Sequence, residues 1–247
     1  MNVLSLFSGI GGLELGLERA GMTVVGQVEI DPWCRKVLAK HWPEVPRHDD
    51  VRTCVDWWRS EPRPAVHVVA GGFPCQPASS AGLRLAQDDE RWLWPAMARV
   101  VRELRPEYVV LENVVGLLDR GFDEVLGSLA SLGFDAEWGV LSACAVGAPH
   151  PRERVFVVAY PSGEPRRPAA TGSADPGRSA AGTWSARLDV AEPRDSGWWH
   201  AEPRVGRVAD GLPGGLDRRV AVGNAVVPQV AEYVGRLIVD VDRGVAA

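Results

Sequence analysis

Short apolar runs alternate with amphipathic stretches through the first 160 residues of this 247-residue chain. The runs near 2–7, 23–29, 66–71, 107–111, 136–142 and 154–160 predict strands. Helical spacing over 11–20, 32–41, 91–104 and 121–132 predicts the helices between them, with Pro32 opening the second and Gly21 closing the first. Strands alternating with helices make a parallel sheet with crossover connections. The expected fold class is therefore α/β, a doubly wound, Rossmann-like domain over residues 1–160. From 161 to 186 the periodicity vanishes, and 20 of the 26 residues are Pro, Gly, Ser, Ala or Thr. That composition buries too little apolar area to offset chain entropy, so a linker is expected there. Residues 187–219 are Arg-rich with aromatic punctuation and no clear period, and 161–219 is expected to form a short variable region. The segment 220–247 returns to an apolar loop and a helix, with Pro228 near its first turn, and is expected to rejoin the first domain.

Composition narrows the function classes. The chain is 46% hydrophobic and 24% charged, and no apolar run approaches the roughly 18 residues of a membrane span. Met1 leads directly into "NVLSLF", with no basic region or cleavage site of a secretory leader, so a cytoplasmic protein without a membrane partner is expected. Cys34, Cys54, Cys75 and Cys144 form no C-x-x-C pair and the five histidines are scattered, which points to free thiols and no metal site. A net charge of -5 argues against indiscriminate coating of nucleic acid, while leaving a local basic face open.

The candidate chemistry gathers at predicted strand ends. "LFSGIGGLELGLERAG" places a Gly-rich turn between the first strand and first helix, where backbone amides can approach a ligand; a tight structural turn explains it too. The next strand ends in "VEIDP", so Glu29 lies about 20 residues on and can accept both hydroxyls of a ribose. Together these read as a nucleoside cofactor site. Cys75, in "GGFPCQPASS", follows the strand "HVVAGG" on a proline-bounded loop. A lone cysteine is commonly a small buried hydrophobe, but beside a cofactor cleft it is placed to act as a nucleophile. The fourth strand ends in "VVLENVVG", delivering Glu112 and Asn113 to the same edge.

These blocks, with "GAPHPRERVF" and "GNAVVP", occur in the order of the DNA (cytosine-5) methyltransferases, and the chain resembles that family over nearly its whole length, roughly 161–203 excepted. The resemblance implies S-adenosylmethionine as methyl donor, with S-adenosylhomocysteine as product and no metal. It implies that the Cys75 thiolate attacks carbon 6 of a flipped-out cytosine, that Glu112 hydrogen-bonds the exocyclic amine and ring nitrogen 3, and that Arg154 contacts the carbonyl oxygen. Arg152 matches its partner, near phosphate or the catalytic loop, and Asn113 would fix the loop after the glutamate. On the cofactor side Phe7, Ser8, Gly9, Gly11, Gly12 and Pro74 match the loops around the ligand, Glu29 the ribose contact, and Asn224 and Val226 the closing block. Asp50 in "HDDV" matches the adenine contact, with Asp49 adjacent and the choice open. Ser79 and Arg84, in the loop after Cys75, are candidate DNA-backbone contacts or simply exposed loop residues, while Trp92 and Trp94 pack the helix that follows.

Two features depart from the family pattern. His150 stands where many members have Gln. Only 68 residues separate Arg154 from "GNAVVP", leaving "RLDVAEPRDSGWWHAEPRVGR", with Arg187, Arg194, Arg204 and Arg207, as material for target recognition. A short or degenerate target in double-stranded DNA is expected, read by a monomer, with room for a cognate restriction endonuclease as partner. The competing classes are an RNA methyltransferase of the same fold, a non-catalytic DNA-binding relative, and a dinucleotide oxidoreductase. The last leaves Pro74-Cys75, Glu112-Asn113 and the two arginines unexplained.

Overall fold

In the computed structural model of the chain the described residues are 1–74, 92–163 and 223–244. Seven strands, β1 (Asn2–Leu6), β2 (Thr23–Val28), β3 (Arg47–His48), β4 (Val68–Gly71), β5 (Tyr108–Val114), β6 (Phe134–Leu141) and β7 (Arg154–Pro161), form one sheet in the order β3-β2-β1-β4-β5-β7-β6. The central strands are near-continuous apolar runs, with all four residues of β4 and the first six of β5 buried. This is the signature of strands covered on both faces.

Helices α1 (Gly12–Arg19), α2 (Pro32–His41), α3 (Cys54–Arg59), α4 (Trp94–Leu104), α5 (Phe122–Ser131) and α6 (Pro228–Asp242) supply the cover. One core joins Leu4, Leu6 and Val109 to Trp58 of α3, Met97 of α4 and Val125 of α5. The other joins Val3, Val68 and Val110 to Leu13 and Leu17 of α1 and Val230, Val234 and Ile238 of α6. Helices α1 and α6 meet closely, for a Cβ on Gly235 would come within 2.7 Å of the Ala20 methyl. Among the described residues no helix is long and apolar enough to cross a membrane.

The doubly wound α/β expectation holds, with three differences. Strand β7 runs antiparallel to both β5 and β6, so the sheet is mixed rather than wholly parallel. Strand β3 has only two residues, no apolar signal of its own, and exists because Gln27 and Val28 offer it a backbone edge. Helix α3 is six residues long and its signal, Trp57-Trp58, is too short for periodicity. Trp94 is 1% exposed in α4, and Trp92 lies edge-on to Phe73 with ring centroids 5.2 Å apart, so both pack as expected.

Candidate active site at the carboxyl edge of the sheet

Strand order reverses between β1 and β4, and the turns beyond the parallel strands converge there, where open α/β sheets take ligands. After β1 the backbone turns sharply: Phe7 and Gly9 have φ of 55° and Gly11 of 91°. For Phe7 this left-handed conformation costs about 1–3 kcal/mol. The turn is held by Ser8 N donating to Val28 O at 3.1 Å and by Gly9 N donating to Glu29 Oε2 at 2.7 Å. A Cβ on Gly12 would overlap the Val226 carbonyl, so the missing side chain is what lets the 224–226 segment close onto α1.

Glu29, nearly buried at the end of β2, uses its second oxygen too, with Oε1 accepting from Asp31 N at 2.7 Å. A carboxylate has about four acceptor positions, so each oxygen retains capacity for another donor. Asp31 caps α2 by accepting from Trp33 N at 2.7 Å and Cys34 N at 2.8 Å. Beyond β3, Asp50 caps a short 3-10 turn and grips Arg52, whose Nε and Nη2 lie 2.9 and 2.8 Å away. Those hydrogen bonds hold its carboxyl below the usual range. Asp49 beside it has a side chain 65% exposed.

The other half of the site comes from β4, β5 and β7. Glu112 and Asn113 close β5 on the same edge, 7% and 5% exposed. Glu112 fits because position 72 is glycine: a Cβ there would stand 2.8 Å from Glu112 Oε2. Asn113 Nδ2 donates to Phe73 O at 3.0 Å, and its Oδ1 accepts from Val114 N at 2.9 Å. Because β7 is antiparallel, it begins where β5 ends, and Arg154 pairs with Val114 in register. Val114 shares a sheet face with Glu112, two residues back, and Arg154 Nε lies 3.2 Å from Glu112 Oε1. Burial pushes the Glu112 carboxyl up, opposed by the positive charges of Arg154 and Arg152.

These groups line one cavity of about 710 Å³, within the roughly 300–1,000 Å³ of small-molecule sites. Following the strand order, it passes from Asp49 and Asp50 across Glu29, Phe7 and Gly9 to Pro74, Glu112 and Arg154, with Asn224, Ala225 and Val226 also in its wall. A run of carboxylates and open backbone lies at one end and the Glu112–Arg154 pair at the other.

Residues 1–179 match the family model described as C-5 cytosine-specific DNA methylase. The chain belongs to that family. Among curated members it is 37% identical over 160 residues to the type II methyltransferase M.NgoMIV of Neisseria gonorrhoeae, covering 63% of this chain and 50% of that one. It is 39% identical over 163 residues to M.Eco47II of Escherichia coli, covering 64% of this chain and 39% of the relative. The chain thus spans half or less of the length of these type II methyltransferases. Among solved structures, the Dnmt2 methyltransferase of S. pombe superposes with a TM-score of 0.56 at 23% identity, over 66% of this chain and 52% of that one.

Against this family the residues singled out from sequence sort by position. Phe7, Ser8, Gly9, Gly12, Glu29, Asp50, Pro74, Glu112, Asn113, Arg154, Asn224 and Val226 all line the cavity. Gly11 does not: a Cβ there would run into the Trp42 ring, and into Leu38 Cδ2 at 3.3 Å, so this glycine seats the turn on α2. Arg152 is also off the wall. Its Nη2 donates to Ala225 O at 2.8 Å, so it clamps the closing segment. Asn113 braces Phe73, in the loop that leads to Cys75, as well as the residue after itself. Cys75, Ser79, Arg84, Arg187, Arg194, Arg204 and Arg207 lie outside the described residues. Sequence reading missed Gly72, whose emptiness houses Glu112, and Ile30, an apolar side chain in the cavity wall with the residue 67% exposed. The signal for Ile30 was an apolar residue set between two acids where the strand ends.

Proposed function

We propose that this chain transfers a methyl group from S-adenosylmethionine to carbon 5 of a cytosine in double-stranded DNA through a covalent adduct on Cys75. The observation that carries the reading is the pairing of buried Glu112 with half-buried Arg154 in the same cavity wall as Pro74. The next residue in the sequence is Cys75.

The cavity residues fit the donor. Glu29 keeps acceptor capacity for a ribose diol, Ile30 offers an apolar face to a base, Asp49 and Asp50 offer carboxylates to an exocyclic amine, and the Gly9 turn is open to backbone approach. When bound, S-adenosylmethionine supplies an electrophilic methyl group.

The chain's own residues do the rest. The Cys75 thiolate adds to carbon 6 and makes carbon 5 nucleophilic. Glu112, whose carboxyl is pushed up by burial against the pull of Arg154 and Arg152, hydrogen-bonds ring nitrogen 3 and the exocyclic amine, offsetting charge that would otherwise build on the ring. Arg154, beside it, donates to the cytosine carbonyl oxygen. Once carbon 5 carries the methyl group, loss of its proton expels the cysteine and restores the ring.

Type II relatives among the similar proteins support a bacterial modification role in the cytoplasm, with a cognate endonuclease as partner. The test is bisulfite sequencing of plasmid DNA from cells expressing the chain, beside Cys75→Ser. Methylation at a short motif, absent in the variant, supports the reading. Methylation that survives Cys75→Ser removes the cysteine from the mechanism, and methylation of co-isolated RNA instead of plasmid moves the substrate to RNA. Duplex DNA carrying 5-fluorocytosine should trap the adduct, because fluorine replaces the proton that must leave.

A further inference from the structure

Beneath the turn that walls the cavity lies a buried polar layer. Ser5, Glu14 and Gln27 are 0% exposed and Ser8 is 6% exposed. Ser5 and Gln27 are register partners on β1 and β2, on the α1 side of the sheet, since Leu4, Leu6 and Val28 face the opposite core. Glu14 reaches the layer from the first turn of α1. Ser8 Oγ donates to Ser5 Oγ at 3.2 Å, while neither carboxyl oxygen of Glu14 nor either amide atom of Gln27 has an aligned partner. Ser5, Ser8 and Gly9 line the cavity and Glu14 does not. Anything Glu14 does for a ligand passes through that turn.

The charge state of Glu14 follows from its surroundings. An ionised carboxylate buried without a cation is far costlier than the neutral acid, and the charge that bears on Glu14 is a like one, Glu29. A neutral carboxyl both donates and accepts, so it can join hydroxyls that also do both. A carboxylate only accepts, and the Ser5 and Ser8 hydroxyls that bear on it bring no positive charge to balance its own.

We infer that Glu14 is a positioning residue for the cofactor turn and works as the neutral acid, holding Ser5 and Ser8 beneath residues 7–11. Ionisation forces the layer to admit water or move, and with it the turn whose Gly9 amide must stay on Glu29. The inference rests on the cofactor reading above. Burial raises the carboxyl from 4.5 to about 7, with the Ser5 and Ser8 hydroxyls opposing and Glu29 adding. The other titratable groups nearby are Asp31 and Cys34 at the start of α2, with the Cys34 thiol pushed up to about 12, and Glu232 on α6, tied to Arg236 at 2.6 Å. His48 borders β2 with its ring stacked on Trp57. Comparison with Glu14→Gln at each pH removes the contributions of all of these.

The experiment is titration calorimetry of S-adenosylhomocysteine against the full chain from pH 6 to 8.5, for wild type, Glu14→Gln and Glu14→Ala. Above pH 7 the wild-type Kd should climb toward tenfold per pH unit, the limit for a ligand that needs one bound proton. Glu14→Gln should hold the low-pH Kd throughout, and Glu14→Ala should bind weakly at every pH. Superimposable profiles for wild type and Glu14→Gln overturn the proposal. If the ligand binds wild type at no pH, the cofactor reading fails instead, and hydrogen exchange at the Gly9 amide decides for Glu14. Protection, corrected for intrinsic rate, should fall above pH 7 in wild type relative to the Leu17 amide. A constant ratio overturns the proposal on wild type alone, even if Glu14→Gln does not fold.

Discussion

Adding one methyl group at Gly12 tests how the end of the cavity proposed for the cofactor is built. The new Cβ of Gly12→Ala would stand 3.1 Å from the Val226 carbonyl carbon and 3.2 Å from its amide nitrogen, with the carbonyl oxygen closer still. These are backbone atoms and cannot swing away, so α1 and the 224–226 segment must separate by about 1 Å to restore ordinary contact distances. Overpacking of this kind costs about 1–3 kcal/mol of stability. The displaced segment is also cavity wall, anchored at Ala225 by Arg152. S-adenosylhomocysteine should therefore bind Gly12→Ala at least about tenfold more weakly, since 1.4 kcal/mol of lost contact suffices. Gly235→Ala is the control: its Cβ would meet the Ala20 methyl at 2.7 Å, at the far end of α1, where no cavity residue lies. It should lose comparable stability by urea melt and keep wild-type affinity by calorimetry. Wild-type affinity in Gly12→Ala, or an equal loss in both variants, would refute the reasoning.

Asn113→Ala leaves the Phe73 carbonyl and the Val114 amide without their side-chain partner. It should cost about 1–3 kcal/mol in urea unfolding and lower kcat more than it weakens S-adenosylhomocysteine binding, because it loosens the segment leading to Cys75; an unchanged kcat would contradict that bracing role. Glu14 carries its folded-state pKa above the unfolded value, so its stabilising contribution is complete below about pH 4.5 and is lost as pH rises through about 7. Relative to Glu14→Gln, wild type should lose about 3 kcal/mol between pH 4 and 8 at about 1.4 kcal/mol per pH unit, and parallel urea-melt profiles for the two would refute it. Burial raises the Cys34 and Cys54 thiols to about 12, whereas Cys144 is exposed. Native alkylation at pH 7.5, read by mass spectrometry, should label Cys144 and spare Cys34 and Cys54; faster labelling of Cys34, although it lines the cavity, would show that its burial is overstated.

Local chemistry wrote much of this protein in its sequence. The buried strands are apolar runs, Asp31-Pro32 opens α2 through a cap and a fixed φ, and the Gly-rich turn, Glu29 and Glu112 each stand at the carboxyl end of a predicted parallel strand, so their arrival at one sheet edge follows from α/β geometry. What sequence could not decide depends on contacts between distant residues. The direction of β7 is invisible in an apolar run, yet it alone places Arg154 beside Glu112. Gly11 and Gly12 are neighbours in one motif, but one seats the turn on Trp42 and the other admits the Val226 carbonyl, a division set by what packs above each. Arg152 and Arg154, one residue apart, separate in the same way, toward Ala225 and toward Glu112. Glu14, a carboxylate in the first turn of α1, is fully buried, because Ser5 and Gln27 on the sheet and Ser8 in the turn above it close over its side of α1. Residue type and spacing specify which groups reach the carboxyl ends of the parallel strands. Only packing across the chain specifies which of them face the cavity, and with what charge.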